Sequence, residues 1–127
     1  MTDLRTAAEA ARARAYAPYS GFHVGAALET EEGTIVTGCN VENASYGLTI
    51  CAERSAVVAA VAAGHRRFVR LALVSDAPEP IAPCGACRQV LAEFGLQLQV
   101  DSYAGSDRIS WTMAELLPAS FNRDVLQ

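Results

Sequence analysis

Two helix starts, each opened by a cysteine and able to converge on one point, restrict this chain more than any other feature. Cys51 opens a predicted helix running to Ala63, and Cys84 opens a second running to Phe94. Each follows a loop, and each is closed by a glycine, Gly64 and Gly95. Cys87 stands three residues beyond Cys84, so their two sulfurs share a helix face. Helix N-termini favour negative charge and lower thiol pKa values, which suits thiolate ligands. If both starts converge, three thiolates occupy three positions of a tetrahedral zinc and leave the fourth open, as a catalytic site requires. Cys39 is the alternative fourth ligand and would make the site a closed, structural one. Lying at a strand end between Gly38 and Asn40, it reads instead as a small buried residue. A redox role for the Cys84/Cys87 pair is the weaker reading, because the pair comes late in the chain and leaves Cys51 unexplained.

The elements around these helices set the fold class. Leu4, Ala7, Ala8, Ala11 and Ala15 have helical spacing, with a stop near Pro18. Phe22 to Thr30 and Thr34 to Gly38 read as a hairpin about the Glu31-Glu32-Gly33 turn, followed by an irregular loop, Asn40 to Thr49. The helix from Cys51 is apolar on nearly every side beyond Ser55, which predicts burial. Phe68 to Val74, interrupted only by Arg70, predicts a central strand covered on both faces. Asp76 to Pro83 is a proline-rich loop. Leu96, Leu98 and Val100 alternate with glutamines, Arg108 to Thr112 is a last strand, and Thr112 with Glu115 has capping-box spacing for a short helix through Leu117. The order αββαβαββα predicts an α/β protein with helices packed on a mixed sheet.

Composition narrows the possible partners. The 127 residues predict one domain over 1–127, and at 51 % hydrophobic it can build a core without disulfides. Net charge is −4 and no lysine occurs, so tight nonspecific binding to a nucleic-acid polymer is not expected. Arg66, Arg67 and Arg70 beside His65 read as a solvated turn. No apolar run reaches membrane-spanning length, so no membrane association is expected. The first residues lack the basic start and apolar stretch of a secretion signal, which predicts a cytoplasmic protein whose cysteines stay reduced.

Two residues of the first cysteine helix add chemistry. Glu53 lies in the first turn, where side chains tilt toward the helix N-terminus, so its carboxyl can face the same point as Cys51 without ligating a metal. Beside zinc-activated water such a group shuttles protons. The alternative is a carboxylate that merely complements the helix dipole. Arg54 can donate to the thiolate sulfurs and offset the net charge of −1 that three thiolates leave on zinc; a surface salt bridge is its second reading.

Cys51-Ala52-Glu53 followed by Pro83-Cys84-Gly85-Ala86-Cys87 resembles the all-cysteine form of the zinc deaminase signature, in which the glutamate is not a zinc ligand. Tyr16-Ala17-Pro18-Tyr19-Ser20, Phe22, Val24 to Leu28, the block Gly38 to Gly47 and Cys84 to Phe94 narrow the likeness. Together they closely resemble the small homotetrameric cytidine deaminases of pyrimidine salvage, from about Tyr16 to Phe121. The resemblance implies a three-layer α/β/α cytidine deaminase-like fold with a five-stranded mixed sheet. It also implies one zinc per subunit on Cys51, Cys84 and Cys87, and hydrolysis of cytidine and deoxycytidine to uridine and deoxyuridine with release of ammonia. Activated water would attack C4 of cytosine while Glu53 protonates N3 and then the departing amine. Asn40 and Glu42 match the family's ribose contacts, and Phe22 matches the ring that packs on the base. Tyr46 and Phe121 match residues lent to a neighbouring subunit's pocket, so a homotetramer is implied. His23 and His65 match no ligand position.

Three rivals are weighed against that reading. A polynucleotide deaminase needs a groove for the phosphate backbone, which this acidic, minimal chain lacks. A deaminase of a cytosine-containing antibiotic such as blasticidin shares the zinc motif, but the Asn40-Val41-Glu42-Asn43 block favours plain nucleosides. A noncatalytic zinc module requires Cys39 as fourth ligand and gives Glu53 no task.

Overall fold

Strands β1 (Val24–Thr30) and β2 (Ile35–Cys39) form an antiparallel hairpin through the exposed turn at Glu31, Glu32 and Gly33, with Gly33 at φ 90°. In the computed structural model, β3 (Phe68–Ser75) pairs antiparallel with β1 on its other edge, and β4 (Gln99–Ala104) runs parallel to β3. Strand β5 (Asp107–Thr112) pairs antiparallel with β4, so one mixed sheet has the order β2-β1-β3-β4-β5. Helix α1 (Leu4–Arg12) packs on one face; α2 (Ala52–Ala62), α3 (Gly85–Ala92) and α4 (Met113–Leu116) gather on the other. The expected α/β fold with a five-stranded mixed sheet flanked by helices is the one observed. The structure describes residues 3–126; residues 1, 2 and 127, the ends of the domain expected over 1–127, lie outside those described. No helix among the described residues is long and apolar enough to cross a membrane.

The two faces of the sheet are filled unequally. Leu28, Leu71, Leu73, Leu91, Leu98, Val100 and Met113 are fully or almost fully buried on the side of α2, α3 and α4. Under α1 the core is small: Ala8, Ala27, Ala72 and Val74. Close approach of helix to sheet depends on glycine at two points. A Cβ at Gly25 would stand 2.0 Å from the Ala8 carbonyl oxygen, and one at Gly38 would stand 2.3 Å from the Ala56 nitrogen and 2.6 Å from the Ala52 oxygen. Gly38 therefore lets the first turns of α2 lie directly on β2. Gly38→Ala should cost about 3 kcal/mol or more, because the clash is with helix backbone that cannot rotate away. Urea unfolding checks this, and an unchanged midpoint would show that the helix can slide.

Several boundaries differ from expectation, each for a local reason. Helix α1 ends at Arg12, before Ala15, because Tyr16 bonds across the chain: its N–H donates to the Asn40 carbonyl and its carbonyl accepts from the Glu42 N–H. Strand β1 begins at Val24; Phe22 and His23 precede it, their backbone groups held by the side chains of Ser20, Asn40 and Asp76 and by the Asp76 N–H. Strand β4 is Gln99 to Ala104, displaced from the expected Leu96–Val100. Leu96 and Leu98 serve as carbonyl acceptors for Ala114 and Met113, anchoring the start of α4. Asp101 and Ser102 hide the strand from a hydrophobicity pattern although both are buried, and Asp101 is satisfied by Gln99 at 2.8 Å and Ser110 at 2.6 Å. Helix α2 is not buried all round: Val58 is 58 % exposed, and Ala59, Ala62 and Ala63 are exposed too. On β3, Val69 and Arg70 at its head are uncovered. The Thr112/Glu115 capping box is present, with both reciprocal bonds made.

Candidate active site and metal centre

Strand direction decides where the chemistry sits. β2 and β3 end, and β1 begins, at the same end of the sheet. The loop after β2 leads into α2 and the loop after β3 leads into α3, so both helices start at that end. Cys51 is the N-cap of α2 and Cys84 the N-cap of α3, with Cys87 buried in the first turn. Their sulfurs gather: Cys51 Sγ lies 3.8 Å from Cys84 Sγ, Cys84 Sγ lies 3.3 Å from Cys87 Sγ, and all three are within 4.8 Å of one another. A tetrahedral zinc with bonds of about 2.3 Å spaces its sulfurs about 3.8 Å apart, so the three residues fit that ion. Among the described residues no fourth His, Cys, Asp or Glu joins the group. Cys39 is a half-buried free thiol outside it, less buried than expected.

The electrostatics of the cluster are uneven. Hydrogen bonding from Cys87, supported by Arg54, brings the Cys51 thiol down to about 5. That same bond, with burial, pushes Cys87 up, so the first proton leaves Cys51. Arg54 Nη2 stands 3.6 Å from Cys51 Sγ and 3.4 Å from the Thr49 carbonyl oxygen. Glu53, in the first turn of α2, is only 4 % exposed. Burial raises its carboxyl to about 7, with the Cys51 charge adding to the effect. A carboxyl that both keeps and releases its proton near neutrality, beside three sulfurs that can hold a metal, is equipped for general acid–base work.

The remaining site candidates are arranged in a way the sequence did not reveal. Asn40 is buried, and its side chain is bonded to backbone: Oδ1 accepts from Val24 N–H at 2.8 Å and Nδ2 donates to the Phe22 carbonyl at 2.8 Å. Glu42 takes the backbone N–H groups of Tyr19 and Ser20 at 3.0 and 3.1 Å and the Ser20 hydroxyl. The Ser20 hydroxyl in particular holds the Glu42 carboxyl below the usual carboxylate range. Phe22 is 38 % exposed and Tyr46 is 75 % exposed. Tyr46 lines a cleft of about 260 Å³ with Tyr19, Ser20, Glu42, Asn43 and Thr49; Phe22, Asn40 and Phe121 do not line it. Phe121 is exposed on the C-terminal segment, where its carbonyl accepts from Gln89 Nε2 at 2.7 Å. A larger cavity of about 920 Å³ opens at the other end of α2 and α3, around Val61, Phe68 and Phe94, and contains none of the predicted residues. Size alone favours it, but among the described residues only the cysteine end carries a metal-ligand set.

Sequence reasoning missed Ser20 and the pair His23/Asp76, which meet at 2.7 Å. Partners separated by 53 positions leave no periodicity to read.

Residues 2–100 match the family model described as the cytidine and deoxycytidylate deaminase zinc-binding region. The chain is 50 % identical over 119 residues to a cytidine deaminase of Sporosarcina psychrophila, covering 91 % of this chain and 87 % of the relative. It superposes with a TM-score of 0.91 on the crystal structure of a cytidine deaminase from Burkholderia pseudomallei, at 52 % identity, over 95 % of this chain and all of that one. A blasticidin-S deaminase of Bacillus cereus is more distant, at 29 % identity over 110 residues, or 80 % of this chain and 79 % of the relative.

Proposed function

The chain belongs to the cytidine and deoxycytidylate deaminase family, and from that premise we propose that it hydrolyses free cytidine and deoxycytidine to uridine and deoxyuridine, releasing ammonia. The observation that carries the reading is the buried Glu53 carboxyl at the start of the helix whose first cysteine joins the three-sulfur set. Cys51, Cys84 and Cys87 hold the zinc, which when bound supplies activated water at neutral pH. Glu53 moves the protons: one goes to N3 of the cytosine ring, and one goes to the exocyclic nitrogen, which leaves as ammonia. Burial disfavours the charged carboxylate and so lifts its affinity for a proton to near neutrality. Arg54 offsets the negative charge of the thiolates through Cys51 Sγ.

Phe22 packs on the base, and Asn40 and Glu42 face the ribose. An amide and a carboxylate bonded to the backbone on one side keep a second hydrogen or lone pair for a sugar hydroxyl. The Glu42 carboxylate also repels phosphate, which favours nucleosides over nucleotides and over polymers. Neighbouring copies in a homotetramer cover Tyr46, Leu48, Ile50 and Val58, all at least 42 % exposed here, and Tyr46 and Phe121 complete their pockets. Cysteines that hold zinc as thiolates, with Cys39 as a free thiol, suit the reducing cytoplasm.

The test is the ultraviolet change on mixing the zinc-loaded protein with cytidine, deoxycytidine and, separately, blasticidin S. Turnover of both nucleosides with little on the antibiotic is expected. Turnover of blasticidin S alone would overturn the nucleoside assignment while sparing the zinc chemistry.

A further inference from the structure

The backbone just before β1 is irregular, yet its polar groups from Phe22 to Val24 are held by partners. The Phe22 N–H donates to Ser20 Oγ at 3.0 Å, and its carbonyl accepts from Asn40 Nδ2. Val24 N–H donates to Asn40 Oδ1. Between them, His23 N–H donates to Asp76 Oδ2 at 2.8 Å, and Asp76 N–H returns a bond to the His23 carbonyl at 3.1 Å. The same Oδ2 also takes His23 Nδ1 at 2.7 Å, so that ring nitrogen is the donor. Asn40 and Glu42, the latter through Ser20, already have tasks in the site. Asp76 has none.

Asp76 is itself fixed. On one side, the Ser75 carbonyl accepts from Arg12 Nη1 at 2.8 Å; on the other, Ala77 N–H donates to Ser75 Oγ at 3.1 Å. The chain then continues through the loop to Pro83 and Cys84. One carboxylate oxygen thus ties the segment carrying Phe22 to the strand that leads to two of the three metal-binding sulfurs. The His23 bonds hold this carboxyl below its usual range, so it stays ionised and able to accept through ordinary pH.

We propose that Asp76 is a positioning residue: by clamping His23 it sets the distance between the Phe22 ring and the zinc cysteines, and so the fit of the base between them. This rests on the reading of cytidine as substrate with Phe22 packed on its ring. The cysteines and Glu53 are untouched by the clamp, so its loss acts on binding and leaves the chemical step alone.

The experiment compares zinc-loaded wild type, Asp76→Ala and Asp76→Asn. Asp76→Ala should raise KM for cytidine about ten-fold with kcat within about two-fold, since one charge-assisted bond and a small displacement of the ring are lost. Asp76→Asn, whose amide oxygen still accepts the His23 N–H, should return KM to within about three-fold of wild type. Zinc content should stay at one per subunit in all three. A readout that needs no substrate accompanies the kinetics: the amide hydrogen of His23 should exchange faster in Asp76→Ala and be protected again in Asp76→Asn. Unchanged KM, no rescue by asparagine, or loss of zinc, kcat or folding would each overturn the proposal, the last group making Asp76 merely structural. A wild type that leaves cytidine untouched sinks the functional reading instead, and the exchange data then decide the clamp by themselves.

Discussion

Glu53→Gln should keep the zinc and the fold while lowering kcat for cytidine by about 10³- to 10⁴-fold, the range that a positioned general acid–base contributes. Glutamine has the same shape and can donate a hydrogen bond, but it cannot take a proton and pass it on. The variant should also unfold at the same or a higher urea concentration. Glu53 is 4 % exposed, so burying its charged form costs free energy that a neutral amide avoids. Absorbance assays, zinc analysis and unfolding on the same preparation separate these statements. Retention of more than a tenth of the activity would mean that protons travel by another route.

Cys87→Ser should abolish zinc binding and activity together, whereas Cys39→Ala should alter neither. Cys87 is fully buried, and its sulfur lies 3.3 Å from that of Cys84. An oxygen on the shorter serine side chain neither reaches as far nor binds zinc as a thiolate does. Removing the metal from the parent protein with a chelator should have the same effect on activity, and uptake of zinc by the stripped protein should release protons, because the thiols must deprotonate to bind. Bound metal also joins the starts of α2 and α3, so stripping it should lower stability by about 4 kcal/mol where free zinc stood a thousand-fold above its Kd. Zinc lost from Cys39→Ala would convert the open site into a closed structural one and leave Glu53 without a task.

The parts of the molecule that are legible in the sequence are those governed by local rules. Cys51 and Cys84 stand at helix starts, and glycines stop both helices, because cap chemistry is confined to a few neighbouring residues. The two helix starts do meet, as the sequence allowed without requiring it. What stayed hidden depends on distant partners. Asp101 and Ser102 look like loop residues until the strand pairing supplies Asp101 with partners. Helix α1 stops early because Tyr16 is claimed by the segment around Val41. The bonds that Asn40 and Glu42 make to the backbone of Phe22, Val24, Tyr19 and Ser20 follow only from the folded chain. Asp76 left no trace at all, since its partners, the backbone N–H and the ring Nδ1 of His23, lie 53 positions away.

The turn at Glu31, Glu32 and Gly33 lies at the end of the sheet remote from the sulfurs, with all three residues exposed. Thr30, Gly33 and Thr34 close it, and its links to the rest of the chain are the Glu31 N–H bond to the Arg67 carbonyl and exposed contacts of Glu31 and Glu32 with Arg67 and His65. Scaffold and chemistry are thereby divided between the two ends of the same strands. A dye, an affinity tag or a tethered second protein grafted into that turn would ride on the molecule as cargo, offering a fixed handle for immobilising the catalyst with its working end facing outward.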